Sequence, residues 1–139
     1  MKSYTLTALK MGETNVPCAE IYWMTKLTGW EPLTFWAFLI ENGEQRVLLN
    51  TGFPQDYSAL HKHWTTWAKS AMGEEGHIPI VEKNNWIVNA LAQHNLKPAD
   101  INHVIVTPLT SYATGGLDQF PKAKLWFSRH GWVDFHAPD

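Results

Sequence analysis

Tyr4 to Met11 alternates polar and apolar residues, the period of a strand with one solvated face. Gly12 to Pro32 loses that period. With Gly12, Pro17, Gly29 and Pro32 it reads as a long loop. Thr34-Phe35-Trp36-Ala37-Phe38-Leu39-Ile40 is an apolar run of strand composition, and Asn42-Gly43 after it is the dipeptide most ready to adopt the positive φ angles of a tight hairpin. Arg46-Val47-Leu48-Leu49 is the return strand, closed by Asn50-Thr51-Gly52. From Tyr57 to Met72 the period changes. Leu60, Trp64, Trp67 and Ala71 make one stripe of an amphipathic helix. A second helix is expected from about Val81 to His94, with Ile87, Ala90 and Leu91 inward and Pro98 beyond its end. His103 to Thr107 reads as a buried strand, and Ala113 to Leu117 as a turn into a short helical segment. Lys124 to Phe127 reads as a last strand, and Arg129 to Phe135 as the start of a helix. The order predicts an α/β or mixed α+β fold, without repeats or a linker.

The 139 residues are enough for one domain, or part of one. At 15.9 kDa such a chain folds to roughly 7,000 Å² of surface from roughly 23,000 Å², so a core forms without disulfides. No apolar run approaches the ~20 residues of a membrane span. The net charge of -2 gives no footprint for nucleic acid or acidic lipid. One cysteine, Cys18, excludes an internal disulfide framework and a CxxC motif. The N-terminus lacks the pattern of a signal peptide, and a lone thiol fits the cytoplasm. Charged residues are only 17% of the chain and tryptophans number eight, which points to surface covered by another chain.

Several fragments together resemble a known family. Leu48-Leu49-Asn50-Thr51-Gly52, Lys97-Pro98-Ala99-Asp100-Ile101 and His103-Val104-Ile105-Val106-Thr107 are similar to the first half of a metallo-β-lactamase-fold hydrolase, nearest the N-acyl homoserine lactonase-like subgroup. Gly115-Gly116-Leu117, Phe120-Pro121-Lys122-Ala123 and Phe127-Ser128-Arg129-His130-Gly131-Trp132 continue the likeness. The resemblance implies the N-terminal half of an αββα sandwich, with residues 1–139 forming a single half-domain. It also implies a mixed sheet with helices on one face and a second chain on the other.

The family's hallmark is T-H-x-H-x-D-H-x-G-G, whose histidines and aspartate bind one or two metal ions that supply hydroxide at neutral pH. The same window here runs from Thr107 to Gly116, and Thr107, Leu109, Gly115 and Gly116 keep its frame. Pro108, Thr110 and Ala113 stand where the histidines would be, and Tyr112 where the aspartate would be. Proline and alanine carry no donor atom, and threonine and tyrosine hydroxyls are poor zinc ligands. The acid of the family's D-T-G, which supports the site from behind, is Asn50 here. A complete member is about twice this length and takes further ligands from its second half. The resemblance therefore implies no metal and no cofactor.

Other chemistry is sparse. His61 and His63 point roughly 200° apart on a helix and cannot share a metal. His77, His94 and His103 lie in separate elements, and His130 and His136 are surface histidines or a contribution to a partner's site. Ser111 has no histidine at a suggestive spacing, Cys18 has no basic neighbour, and Gly115-Gly116 lacks the lysine of a phosphate loop. Trp36, Trp64 and Trp67 are expected in the core. Trp23, Trp30, Trp126 and Trp132 stand between core and an interface or pocket lining.

The expected function is that of a non-catalytic, metal-free subunit acting through association. Its partner is a second copy, a second-half chain or an active hydrolase chain, and neither nucleic acid nor membrane. The alternatives are a hydrolase of lactone or ester-like bonds with ligands from a partner chain, and a small-molecule binding module lined by Thr110, Tyr112 and the loop tryptophans.

Overall fold

The computed structural model describes residues 3–23, 25–55 and 80–137. The expected helix over Tyr57–Met72, with Leu60, Trp64, Trp67, Ala71, His61 and His63, lies outside these residues, as does His77. Five strands form one mixed sheet in the order β1 (Thr5–Pro17), β2 (Trp30–Glu41), β3 (Arg46–Leu49), β4 (His103–Ile105) and β5 (Lys124–Trp126). The pairs β1–β2 and β2–β3 are antiparallel, and β3–β4 and β4–β5 are parallel. Among the described residues the helices are α1 (Cys18–Ile21), α2 (Ile87–Ala92), α3 (Ser111–Thr114) and α4 (Arg129–His136).

The hairpin β2–β3 closes around Asn42, whose Oδ1 accepts from the backbone N–H of Glu44 and of Gln45 at 3.0 and 2.8 Å. Gly43 takes the first central position of that turn at φ 85, where a side chain would be strained.

Three expectations are corrected. The segment Gly12–Pro32 is not one long loop: β1 runs on to Pro17 and pairs with β2 as far as Pro17↔Trp30. The register shifts between Lys10 and Gly12, so Met11 is the extra residue of a bulge that hides the alternation from the sequence. Pro32 is tolerated because β2 has only β1 beside it there. The helix expected over Val81–His94 is split into a 3-10 turn at Lys83–Asn85 and the shorter α2, since Trp86 between them is extended at φ -66, ψ 136. Trp36 is not core but 45% exposed. It pairs with Lys10 on the opposite face from Ala37 and Leu39, which are fully buried.

That parity divides the sheet. One face carries Leu9, Ala37, Leu39, Leu48 and Val104, which cluster with Ile87, Ala90 and Leu91 of α2 and with Ala113 of α3. Each such side chain contributes about 1.5–3 kcal/mol by leaving water. The other face carries Leu6, Trp36, Phe38, Leu49, Ile105 and Trp126, all partly or largely exposed. At its margin Lys10 Nζ donates to Glu13 Oε2 at 2.7 Å, and this hydrogen bond holds the ammonium pKa above its ordinary value. Helix α4 buries none of its residues. Trp132 stacks on Phe127 with ring centroids 4.9 Å apart and meets His136 edge-on at 4.1 Å.

Candidate functional site

The parallel strands β3 and β4 end side by side, so the segments that follow them, Asn50–Gly52 and Val106–Thr110, leave the sheet at the same edge. In such sheets that edge is where sites are built, because two chain segments diverge there and leave a crevice. Asn50 sits at φ 64, a left-handed conformation that asparagine tolerates better than most residues. Its backbone N–H donates to the Ile105 carbonyl at 2.8 Å, and its Oδ1 accepts from the Thr107 N–H at 2.9 Å. A single residue thereby ties the end of β3 to the loop after β4.

Thr51, fully buried, continues the seam. Its backbone N–H and its Oγ1 both donate to the Ala113 carbonyl, at 2.8 and 2.9 Å, and Oγ1 accepts from the Gly116 N–H at 3.1 Å. The Gly115 N–H donates to the Gly52 carbonyl at 2.9 Å. This close approach leaves no room for side chains. A Cβ on Gly115 would lie 2.1 Å from Pro54 N, and one on Gly116 would lie 2.6 Å from Ile87 Cγ2.

The loop itself presents little chemistry. The Thr107–Pro108 peptide is cis and Pro108 is exposed. Thr110 precedes α3, and its carbonyl accepts from the N–H of Ala113 and of Thr114. Its buried Oγ1 has no hydrogen-bond partner among the described residues. The Tyr112 ring lies 5.0 Å from Phe35 and 6.5 Å from Phe53, centroid to centroid, and Ala113 is fully buried. Phe35 and Phe53 meet edge-on at 4.9 Å, so the three rings form one apolar cluster. Phe53 was missed from the sequence, although it directly follows Asn50-Thr51-Gly52.

The remaining candidates do not converge on this loop. His103 Nδ1 accepts from Trp126 Nε1 at 3.1 Å on the exposed sheet face, and His94 is exposed. Cys18 is buried. Trp23 is 81% exposed, Trp30 is half-buried, and Trp126 and Trp132 are largely exposed. A cavity of about 950 Å³ lies behind Gly115 and Gly116, lined in part by Phe53, Pro54, Trp86, Val88 and Gln119. Neither Thr110 nor Tyr112 is among its described lining residues, nor are the four loop tryptophans.

No family model and no curated protein matches the chain. Solved structures do. An N-acyl homoserine lactone hydrolase, with the product N-hexanoyl-L-homoserine bound at its catalytic metal center, superposes over the whole chain at TM-score 0.81 and 18% identity. A probable metal-dependent hydrolase from Staphylococcus aureus superposes over 98% of the chain at TM-score 0.68 and 19% identity. A hydrolase of the beta-lactamase superfamily does so over 100% at TM-score 0.60 and 16% identity. The chain has the metallo-β-lactamase fold. It spans 54%, 50% and 46% of those three proteins, and it matches the N-terminal half of the metallo-β-lactamase architecture.

The metal that this fold implies does not fit the loop. Among the described residues no three His, Cys, Asp or Glu side chains come together. The side-chain donors of the Thr107–Gly116 window are the hydroxyls of Thr107, Thr110, Ser111, Tyr112 and Thr114, weak neutral ligands for a divalent transition metal, and the Tyr112 ring packs among apolar rings. Among the described residues no helix is long and apolar enough to cross a membrane.

Proposed function

We propose that this chain is a metal-free, non-catalytic subunit of the metallo-β-lactamase fold, a single half-domain over residues 1–139 that acts by associating with another polypeptide in a reducing compartment such as the cytoplasm. Pro108, Thr110, Tyr112 and Ala113 are then the altered ligand positions, and Asn50, Thr107, Gly115 and Gly116 the frame retained around them. The observation that carries the reading is the packing of Tyr112 against Phe35 and Phe53, where a hydrolase of this fold would present a carboxylate. A bound metal lowers the pKa of its water from 15.7 to about 7. No side chain of this loop does the same, and a well-placed general base contributes only ~10²–10⁴-fold.

Two measurements test the proposal. After dialysis against zinc, iron or manganese, the purified chain is expected to hold well under one equivalent of metal by elemental analysis. It is expected to open acyl homoserine lactones no faster than buffer does. Combining Pro108→His, Thr110→His, Tyr112→Asp and Ala113→His should leave turnover near background, since the ligands from the other half of the fold are still lacking. Turnover by the unmodified chain that a chelator abolishes would overturn the proposal in favour of a hydrolase with ligands drawn from elsewhere, a partner chain included.

A further inference from the structure

His103 and Trp126 stand on the sheet face turned away from α2, one on β4 and one on its parallel neighbour β5. The register pairs His103 with Lys124 and Ile105 with Trp126, so the two rings meet on the diagonal, with centroids 5.9 Å apart. Trp126 Nε1 donates to His103 Nδ1 at 3.1 Å. An indole N–H is a donor only, so Nδ1 must be bare, and a neutral ring then carries its proton on Nε2. The bond therefore exists for one protonation state of His103. A charged ring carries N–H groups at both positions and turns one of them on the indole N–H.

A second contact acts in the same direction. Lys124 Nζ lies 4.3 Å from the centre of the Trp126 ring, and this attraction holds the indole in place. Lys124 is also the register partner of His103, and like charges on paired positions of a sheet repel. On the other side His103 pairs with Val47, and the row continues through Ile40 to Leu6 without a charge. Arg46, beside Val47, is engaged by Glu41, and Asp100, upstream of β4, accepts from the Lys97 N–H. Among the described residues of this row Lys124 is thus the charged group facing the imidazole, and no carboxylate offsets it.

The strand held in this way is the margin of the sheet. It joins β4 through the pairs His103↔Lys124, Val104↔Leu125 and Ile105↔Trp126, and α4, which follows it, buries none of its residues. The Val106 N–H donates to the Trp126 carbonyl at 2.9 Å, so whatever loosens Trp126 loosens the end of β5 from which the chain runs into α4.

We propose that the His103–Trp126 hydrogen bond is an acid-released latch on this margin, closed while His103 is neutral and open once it is charged. Opening lets the end of β5, and α4 with it, shift on the sheet. Histidine is the side chain that ordinarily changes charge between about pH 5 and 8. The stabilisation from the bond is present toward the upper end of that range and is lost as pH falls.

Proton–nitrogen correlation spectra of the whole chain test the latch. The indole N–H resonance of Trp126, assigned by its loss in Trp126→Phe, should move upfield from about pH 8 to about pH 5, in step with the His103 ring protons. In His103→Asn it should stay in place, because the carboxamide Oδ1 replaces Nδ1 as acceptor and does not titrate. The ring nitrogens of wild-type His103 should show the Nε2–H tautomer at about pH 8, a reading that needs no variant. Exchange of the Val106 N–H, corrected for the intrinsic effect of pH, should be roughly fivefold faster at the acid end, the weight of one hydrogen bond, and should lose that acceleration in His103→Asn. Far-UV circular dichroism reports whether each variant folds. An indole resonance indifferent to His103, an equal movement in folded His103→Asn, an Nδ1–H tautomer, or Val106 exchange that acid does not accelerate overturns the proposal.

Discussion

Replacing Gly115 with alanine is expected to cost about 3 kcal/mol or more, near the upper end of single substitutions. The reason is space, not backbone conformation. Gly115 lies at φ -62, ψ -21, which any residue adopts, but the added methyl would meet Pro54 N at 2.1 Å and the Phe53 carbonyl carbon at 2.4 Å. Both are main-chain atoms, so no rotamer change relieves the overlap. The segment after β3 and the segment after α3 would have to part. Parting them also strains the bond from the Gly115 N–H to the Gly52 carbonyl. Urea denaturation followed by circular dichroism measures the loss, and a variant within 1 kcal/mol of wild type, on the order of a surface change, would contradict this account of the contact.

Thr51→Val should cost about 2–3 kcal/mol, since it keeps the shape of the residue while removing its hydroxyl. The Gly116 N–H then faces an apolar methyl in a buried place, and an unsatisfied buried donor costs more than a hydrogen bond contributes when made. The Ala113 carbonyl keeps one partner, the Thr51 backbone N–H, so the loss is confined to the side chain. Thr51→Ser keeps the oxygen and should recover most of the difference. Equal midpoints for the valine and serine variants would show that the methyl, and not the hydroxyl, matters there.

How far the sequence revealed this fold depended on whether the relevant interactions were local. The hairpin β2–β3 was legible because an apolar run of strand composition and an Asn-Gly dipeptide are signals carried by neighbouring residues. The inward residues Ile87, Ala90 and Leu91 were legible for the same reason, even though Trp86 shortens their helix. The bulge at Met11 was not legible. One inserted residue reverses the apparent parity, and the second half of β1 then looks like a loop. Trp36 was misjudged because a continuous apolar run does not say which of its residues point to the covered face. At the candidate site the altered loop, with Gly115 and Gly116 as part of its retained frame, could be read by likeness to a motif. The Thr51 hydroxyl bonds residues 62 and 65 positions further along, and nothing in the local pattern announces such a pairing.

Asn50 has a consequence for how the molecule meets acid. A carboxylate accepting the Thr107 N–H would favour its charged form, so its pKa would fall below the ordinary carboxylate range on folding. Its contribution to stability would be present above the unfolded pKa and lost as pH falls through the folded one. The Asn50 amide makes the same bond at 2.9 Å with no proton to gain or lose. The tie between β3 and the loop after β4 therefore adds no acid-labile increment to folding, and the two strand ends stay joined on the same terms in a neutral or a mildly acidic medium.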